Sequence, residues 1–157
     1  MVRWSYGLYG GLIAGVTSAL FYAVVTVAWL HETTLGTFFA QIARALPPLH
    51  GAPDAPPIVA LGVVLHFLAA GAFGLVYGLL ALRFASMRQA PGSVLWGVGY
   101  GLLVWFAIND VIVPVTGAEN VQPFWEGLLG TVVFYGIVLS EATATVARRD
   151  TGAGGPP

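Results

Sequence analysis

Asp54 and Arg83 bracket 28 residues that contain no Asp, Glu, Lys or Arg, and the run between them is almost entirely apolar, small or aromatic. Arg3 and His31 bracket a second run of 27 residues, and Arg88 and Asp110 a third of 21. A helix crossing the roughly 30 Å hydrocarbon core of a bilayer needs about 20 apolar residues, so each run is long enough to span. A fourth stretch is shorter, since Glu126 and Glu141 enclose only 14 uncharged residues, "GLLGTVVFYGIVLS". On a helix these two carboxylates stand roughly 22 Å apart, each near enough to a membrane face to stay hydrated. The pattern predicts an all-α, polytopic membrane protein with four transmembrane helices over about residues 5–30, 58–82, 93–114 and 123–147. They form one domain, 1–149, followed by a disordered tail, 150–157.

The connections add a fifth element. Between the first two spans, Leu35, Phe38, Phe39, Ile42 and Leu46 recur at the spacing of one helical face, predicting a short amphipathic helix over about residues 33–46. The prolines of "PPLHGAPDAPP" end it. "FASMRQAPGS" and "TGAENVQ" are short turns on opposite sides. Arg3, Arg83, Arg88, Arg148 and Arg149, five of the six basic residues, then fall on one side. By the positive-inside rule that side is the cytoplasm, with both termini in it. The location expected is a bacterial cytoplasmic (inner) membrane. The first apolar run is much longer than the 7 to 15 residues of a cleavable signal, so it reads as a retained helix.

Composition sharpens this picture: 57% of residues are hydrophobic and 8% charged, against about 25% charged in soluble domains. With no cysteine there is no disulfide framework or thiolate metal site, and a net charge of −1 gives nucleic acid nothing to bind. Small residues recur four apart: Gly7, Gly11 and Gly15; Gly62, Ala70, Gly74 and Gly78; Ser93, Gly97 and Gly101. Lipid tails give helices no hydrophobic reason to associate, so such stripes mark close helix packing, within one chain or against another subunit. The partners expected are the bilayer itself and a homo-oligomer or larger membrane complex.

Ionisable residues inside the spans are the candidate chemistry. His66 lies in the outer half of the second span, about 12 Å below the helix end at 1.5 Å per residue. Asn109 and Asp110 lie in the outer half of the third span, one turn before Pro114, which kinks a helix by removing a backbone donor. Glu126 opens the fourth span, and His31 and Glu32 close the first. These six residues form an expected polar cluster. In one reading His66 bonds Asp110, Asn109 or Glu126 and holds the bundle together; in the other the group is a proton or ligand site, as intramembrane ionisable residues often are. No ligand-spacing motif supports a metal, so neither metal nor other cofactor is expected. No nucleophile–base arrangement or phosphate-binding glycine loop is present, so no enzyme is expected.

The segments "GLIAGVTSAL", "LHFLAAGAFGLVYG", "LWGVGYGLLVWF" running to "VPVTG", and "FWEGLLGTVVFYGIVLSEA" follow one another in an order that resembles the YagU-type family of small bacterial inner-membrane proteins. The resemblance implies location and fold more than activity. It marks His66, Pro114, Gly117, Glu126 and Gly130 as family-pattern positions, and implies a histidine where this chain has Thr131. The leading expectation for function is a non-catalytic accessory or structural subunit. The alternative is a small channel or carrier for protons or a small solute, using the outer polar cluster.

Overall fold

A computed structural model describes residues 4–31, 33–117 and 124–152, the last three in backbone only. Among the described residues the chain is all-helical. Helices α1 (Ser5–Trp29), α3 (Pro56–Arg83), α4 (Gly92–Thr116) and α5 (Phe124–Arg149) are long and apolar enough to cross a membrane. The short helix α2 (Leu35–Arg44) lies between the first two. The last helix continues to Gly152, past the expected domain end at 149. Arg3, residues 118–123 of the third connection, and the tail from 153 lie outside the described residues.

The spans are built oily side out. Leu68, Leu95, Leu103 and Phe106 are exposed, Leu95 to 72%, whereas Ser18, Thr26, Ser93, Ser140 and Thr143 are buried. Tyr6, Tyr22, Tyr77, Tyr100 and Tyr135 are buried as well. Apolar surface on this scale around a polar, small-residue interior is stable when lipid rather than water is the solvent. The four long helices thus give the chain the form of a multi-pass membrane protein.

Two glycine seams set the packing. In the first, α1 lies against α3 so closely that a Cβ on Gly11 would stand 2.8 Å from Gly74 Cα, and one on Gly7 would stand 2.5 Å from Gly78 Cα. Gly15 continues this seam against the Ala70 methyl. In the second, α4 lies against α5, where a Cβ on Gly101 would reach within 2.7 Å of Val132 Cα, and Gly97 faces Gly136. Gly62 of α3 takes the Phe39 backbone of α2. Side chains then bond across the helices onto backbone carbonyls: Thr17 Oγ1 donates to Phe134 O at 2.6 Å, Tyr135 Oη to Ala70 O at 2.7 Å, and Tyr100 Oη to Phe73 O at 2.5 Å. The seams join helices in pairs, and these bonds join the pairs.

Three spans widen locally to π winding, over Ala23–Trp29, Ala107–Ile112 and Gly130–Ile137, a geometry often found at functional sites. In α4 the widened turns directly precede Pro114, whose missing N–H could not have closed a regular turn. The helix runs through the proline to Thr116 and ends on Gly117, at φ +66°.

Thr34 caps α2 by accepting from Thr37 N at 3.0 Å, and the helix buries Phe38, Phe39, Ala40 and Ala43. Its exit is tied down by Arg44, which donates from Nε to Ala52 O at 2.7 Å and pairs with Asp54. The Thr37 hydroxyl also donates to Asp54, at 2.6 Å. That bond and the Arg44 guanidinium hold the Asp54 carboxyl below its ordinary range. A depressed folded-state pKa contributes stability that is present above the ordinary value, about 3.9, and is lost as pH falls through the folded one. Protection of the α2 amides, their exchange rate relative to that of an unstructured chain at the same pH, is therefore expected to fall below about pH 4 in the wild type. Asp54→Asn should show the lower protection already at neutral pH.

Candidate functional site

His66 stands on α3 where it faces both α1 and α2. A carbonyl can only accept, so the 2.9 Å contact between His66 Nε2 and Gly15 O fixes the hydrogen on Nε2. In the neutral ring Nδ1 is then an acceptor, and among the described residues it has no hydrogen-bond partner. The rings of Phe67, Phe39 and Phe38 meet the imidazole at steep angles, with centroids 5.2, 5.8 and 6.3 Å away. Gly15 lets α3 come close, since a Cβ there would stand 2.8 Å from the Ala70 methyl, and its carbonyl also accepts from Ser18 Oγ at 3.1 Å.

Beside the imidazole is a cleft of 110 Å³, lined by α1, α3, α4 and α5 and by Phe38 and Ile42 of α2. Its polar lining is Ser18 and Tyr22 from α1, His66 from α3, and Thr131 and Tyr135 from α5. Phe38, Phe73 and Val104 supply apolar walls. At roughly 30 Å³ each, about three waters fill it. Tyr22 stacks on Phe38 at 5.0 Å, its hydroxyl bonds Thr131, and Glu126 is an electrostatic neighbour of that hydroxyl. Gly130 has no side chain because the Tyr22 hydroxyl takes its place; a Cβ there would stand 2.7 Å from Oη.

The residues of the expected cluster are distributed differently. His66 bonds a backbone carbonyl rather than a carboxylate. Glu126 is set beside Tyr22, on the rim of the same region. Asn109 donates to Trp105 O of its own helix at 2.9 Å, Asp110 is exposed, and neither lines the cleft. A regular helix returns a side chain to its starting face every 3.6 residues, and the wider turns over Ala107–Ile112 shift that register where Asn109 and Asp110 sit. His31 is exposed at the end of α1 with φ +55°, and Glu32 lies outside the described residues. Among the described residues no three His, Cys, Asp or Glu side chains gather to hold a metal ion.

Sequence reading does not single out Ser18, Tyr22 or Tyr135, because isolated hydroxyls in apolar runs look ordinary. A signal is present nonetheless. Ser18 and Tyr22, His66 and Ala70, and Thr131 and Tyr135 are pairs four apart, each putting two cleft residues on one side of its helix. Thr131, where the family resemblance implies a histidine, lines the same cleft as His66.

Below the cleft the interior stays polar. The Tyr135 hydroxyl neighbours that of Tyr100, whose ring packs on Tyr77 at 5.0 Å. Tyr77 Oη is buried without a well-formed hydrogen bond, beside Ser140 and Glu141. Ser93 Oγ donates to Glu141 Oε1 at 2.5 Å, while Oε2 faces Arg148 at 3.7 Å. Tyr77, Met87 and Leu139 are fully buried and fill this end of the bundle.

The class defined here is a multi-pass, four-span helical membrane protein with a small polar cleft at a membrane-embedded histidine. No known protein family, curated protein or solved structure matches the chain.

Proposed function

We propose that the protein is a non-catalytic carrier or channel of a bacterial cytoplasmic membrane, that it handles protons or a small neutral solute at His66, and that both its termini are cytoplasmic. The observation that carries this reading is His66 lining a water-sized cleft together with four hydroxyls, one of its ring nitrogens bonded to Gly15 O and the other without a partner among the described residues. None of the polar groups in that lining carries a fixed charge, which favours a neutral solute or a proton passed along waters. The polar groups continuing through Tyr135, Tyr100, Tyr77 and Ser140 to Glu141 support the proton in particular. Because Tyr135 and Tyr100 donate to carbonyls at rest, a proton moves only when they turn, so carrier-like rates are expected.

The accessory-subunit reading rests on the small-residue stripes. Gly7, Gly11, Gly15, Gly62, Gly74, Gly78, Gly97 and Gly101 all face other helices of the same chain, which leaves that reading less to stand on. Membership of the YagU-type family belongs to the proposal as well, with the resemblance as its support.

The native chain has no cysteine, so an introduced one reports alone. A small water-soluble methanethiosulfonate should modify Thr131→Cys in liposomes and leave Leu139→Cys, at a fully buried position, unreacted. Equal reactivity at the two positions would remove the cleft from the account.

A further inference from the structure

A second concavity, which shares no lining residue with the cleft, lies on the surface where α1 meets α5. Its volume is 500 Å³; Ile13, Ile137, Val138 and Val146 give it apolar walls, and Glu141 and Arg149 lie along its length. The groove starts at Arg149, where the span ends, and runs to Ile137 near mid-membrane. Twelve residues of helix cover about 18 Å. Half of a 30 Å hydrocarbon core is about 15 Å, so the groove has the length of one acyl chain in one leaflet.

The charges along it distinguish one kind of lipid. Glu141 is already compensated, one oxygen taking the Ser93 hydroxyl and the other facing Arg148. Arg149 makes no ion pair among the described residues. Of the two charged residues that line the groove, Glu141 is thus compensated and Arg149 is not, which leaves a cation at the groove's outer end, where a surface arginine attracts anionic lipid. We propose that this groove is a binding site for an anionic phospholipid, its phosphate on Arg149 and one acyl chain laid between α1 and α5. The site depends on the chain spanning a bilayer and is independent of what happens at His66.

Native mass spectrometry of the full chain in neutral detergent, with added phosphatidylglycerol, phosphatidylethanolamine or phosphatidylcholine, tests it. The wild type should retain phosphatidylglycerol in preference to the other two. Arg149→Gln should weaken that retention roughly fivefold, the worth of one arginine at an anionic surface. Arg83→Gln, at the exposed end of α3 and outside the groove, should leave it unchanged. Val146→Trp, which fills the groove, should reduce retention of phosphatidylglycerol without changing the headgroup at issue. Equal retention of all three lipids, or preference for phosphatidylethanolamine, would overturn the proposal. So would equal losses at Arg149 and Arg83, which would mean diffuse charge instead of a site.

Discussion

Gly74→Val is expected to abolish the folded bundle, while Gly99→Val leaves it intact. A Cβ on Gly74 stands 2.6 Å from Gly11 Cα and 2.9 Å from Gly11 N, and backbone cannot rotate out of the way as a side chain can. Overpacking a well-filled interior costs about 1–3 kcal/mol even where neighbours can adjust. Here relief comes only by moving α1 off α3, which would also break the bond from His66 to Gly15 O. At Gly99 a Cβ meets nothing within 4 Å. Thermal unfolding in mild detergent separates the cases: Gly99→Val melts with the wild type, and Gly74→Val gives aggregate with no cooperative transition. A Gly74→Val protein melting at the wild-type temperature would mean that the seam is not what holds α1 to α3.

The long helices are legible because the bilayer leaves so few solutions. Backbone polar groups must be satisfied within the segment, so runs free of charge, such as the one between Asp54 and Arg83, become helices. Leu35, Phe38, Phe39 and Ile42 repeat at helical spacing, and the chain is helical there from Leu35 to Arg44. The glycine stripes indicate close packing, but a stripe does not name the helix it meets. Gly7 and Gly11 find Gly74 and Gly78 on α3, whereas Gly97 and Gly101 find Gly136 and Val132 on α5.

The surroundings of His66 were hidden for a different reason. Charge draws attention to Asp110 and Asn109, yet facing depends on helix rotation, and the widened turns over Ala107–Ile112 alter it just at those residues. The groups that do reach the cleft are uncharged hydroxyls, which a lipid-embedded interior uses throughout for packing. Even the partner of His66 is unreadable from sequence, because the acceptor is a backbone carbonyl, that of Gly15, and any residue carries one. The polar continuation towards Glu141 depends on three tyrosines from three different helices, Tyr77, Tyr100 and Tyr135, which only the fold brings together.

His66→Gln carries the other large effect. Glutamine can keep an amide donor for Gly15 O and much of the ring's packing, but it has no basic nitrogen to take up a proton. Losing the group that receives the transported species in a buried site costs about 1–3 kcal/mol, roughly fivefold to 150-fold in protein-dependent flux. Tyr135→Phe removes the hydroxyl next below His66 and the bond to Ala70 O, so it should slow flux while the fold persists.

The measurement that bears most directly on the whole account is the decay of an imposed pH gradient in liposomes loaded with a pH-sensitive dye. Liposomes holding the wild-type protein should dissipate the gradient faster than protein-free liposomes, and those holding His66→Gln should match the protein-free rate. A wild-type rate equal to that of empty liposomes, or a His66→Gln rate equal to the wild type, would contradict a proton-handling role for His66.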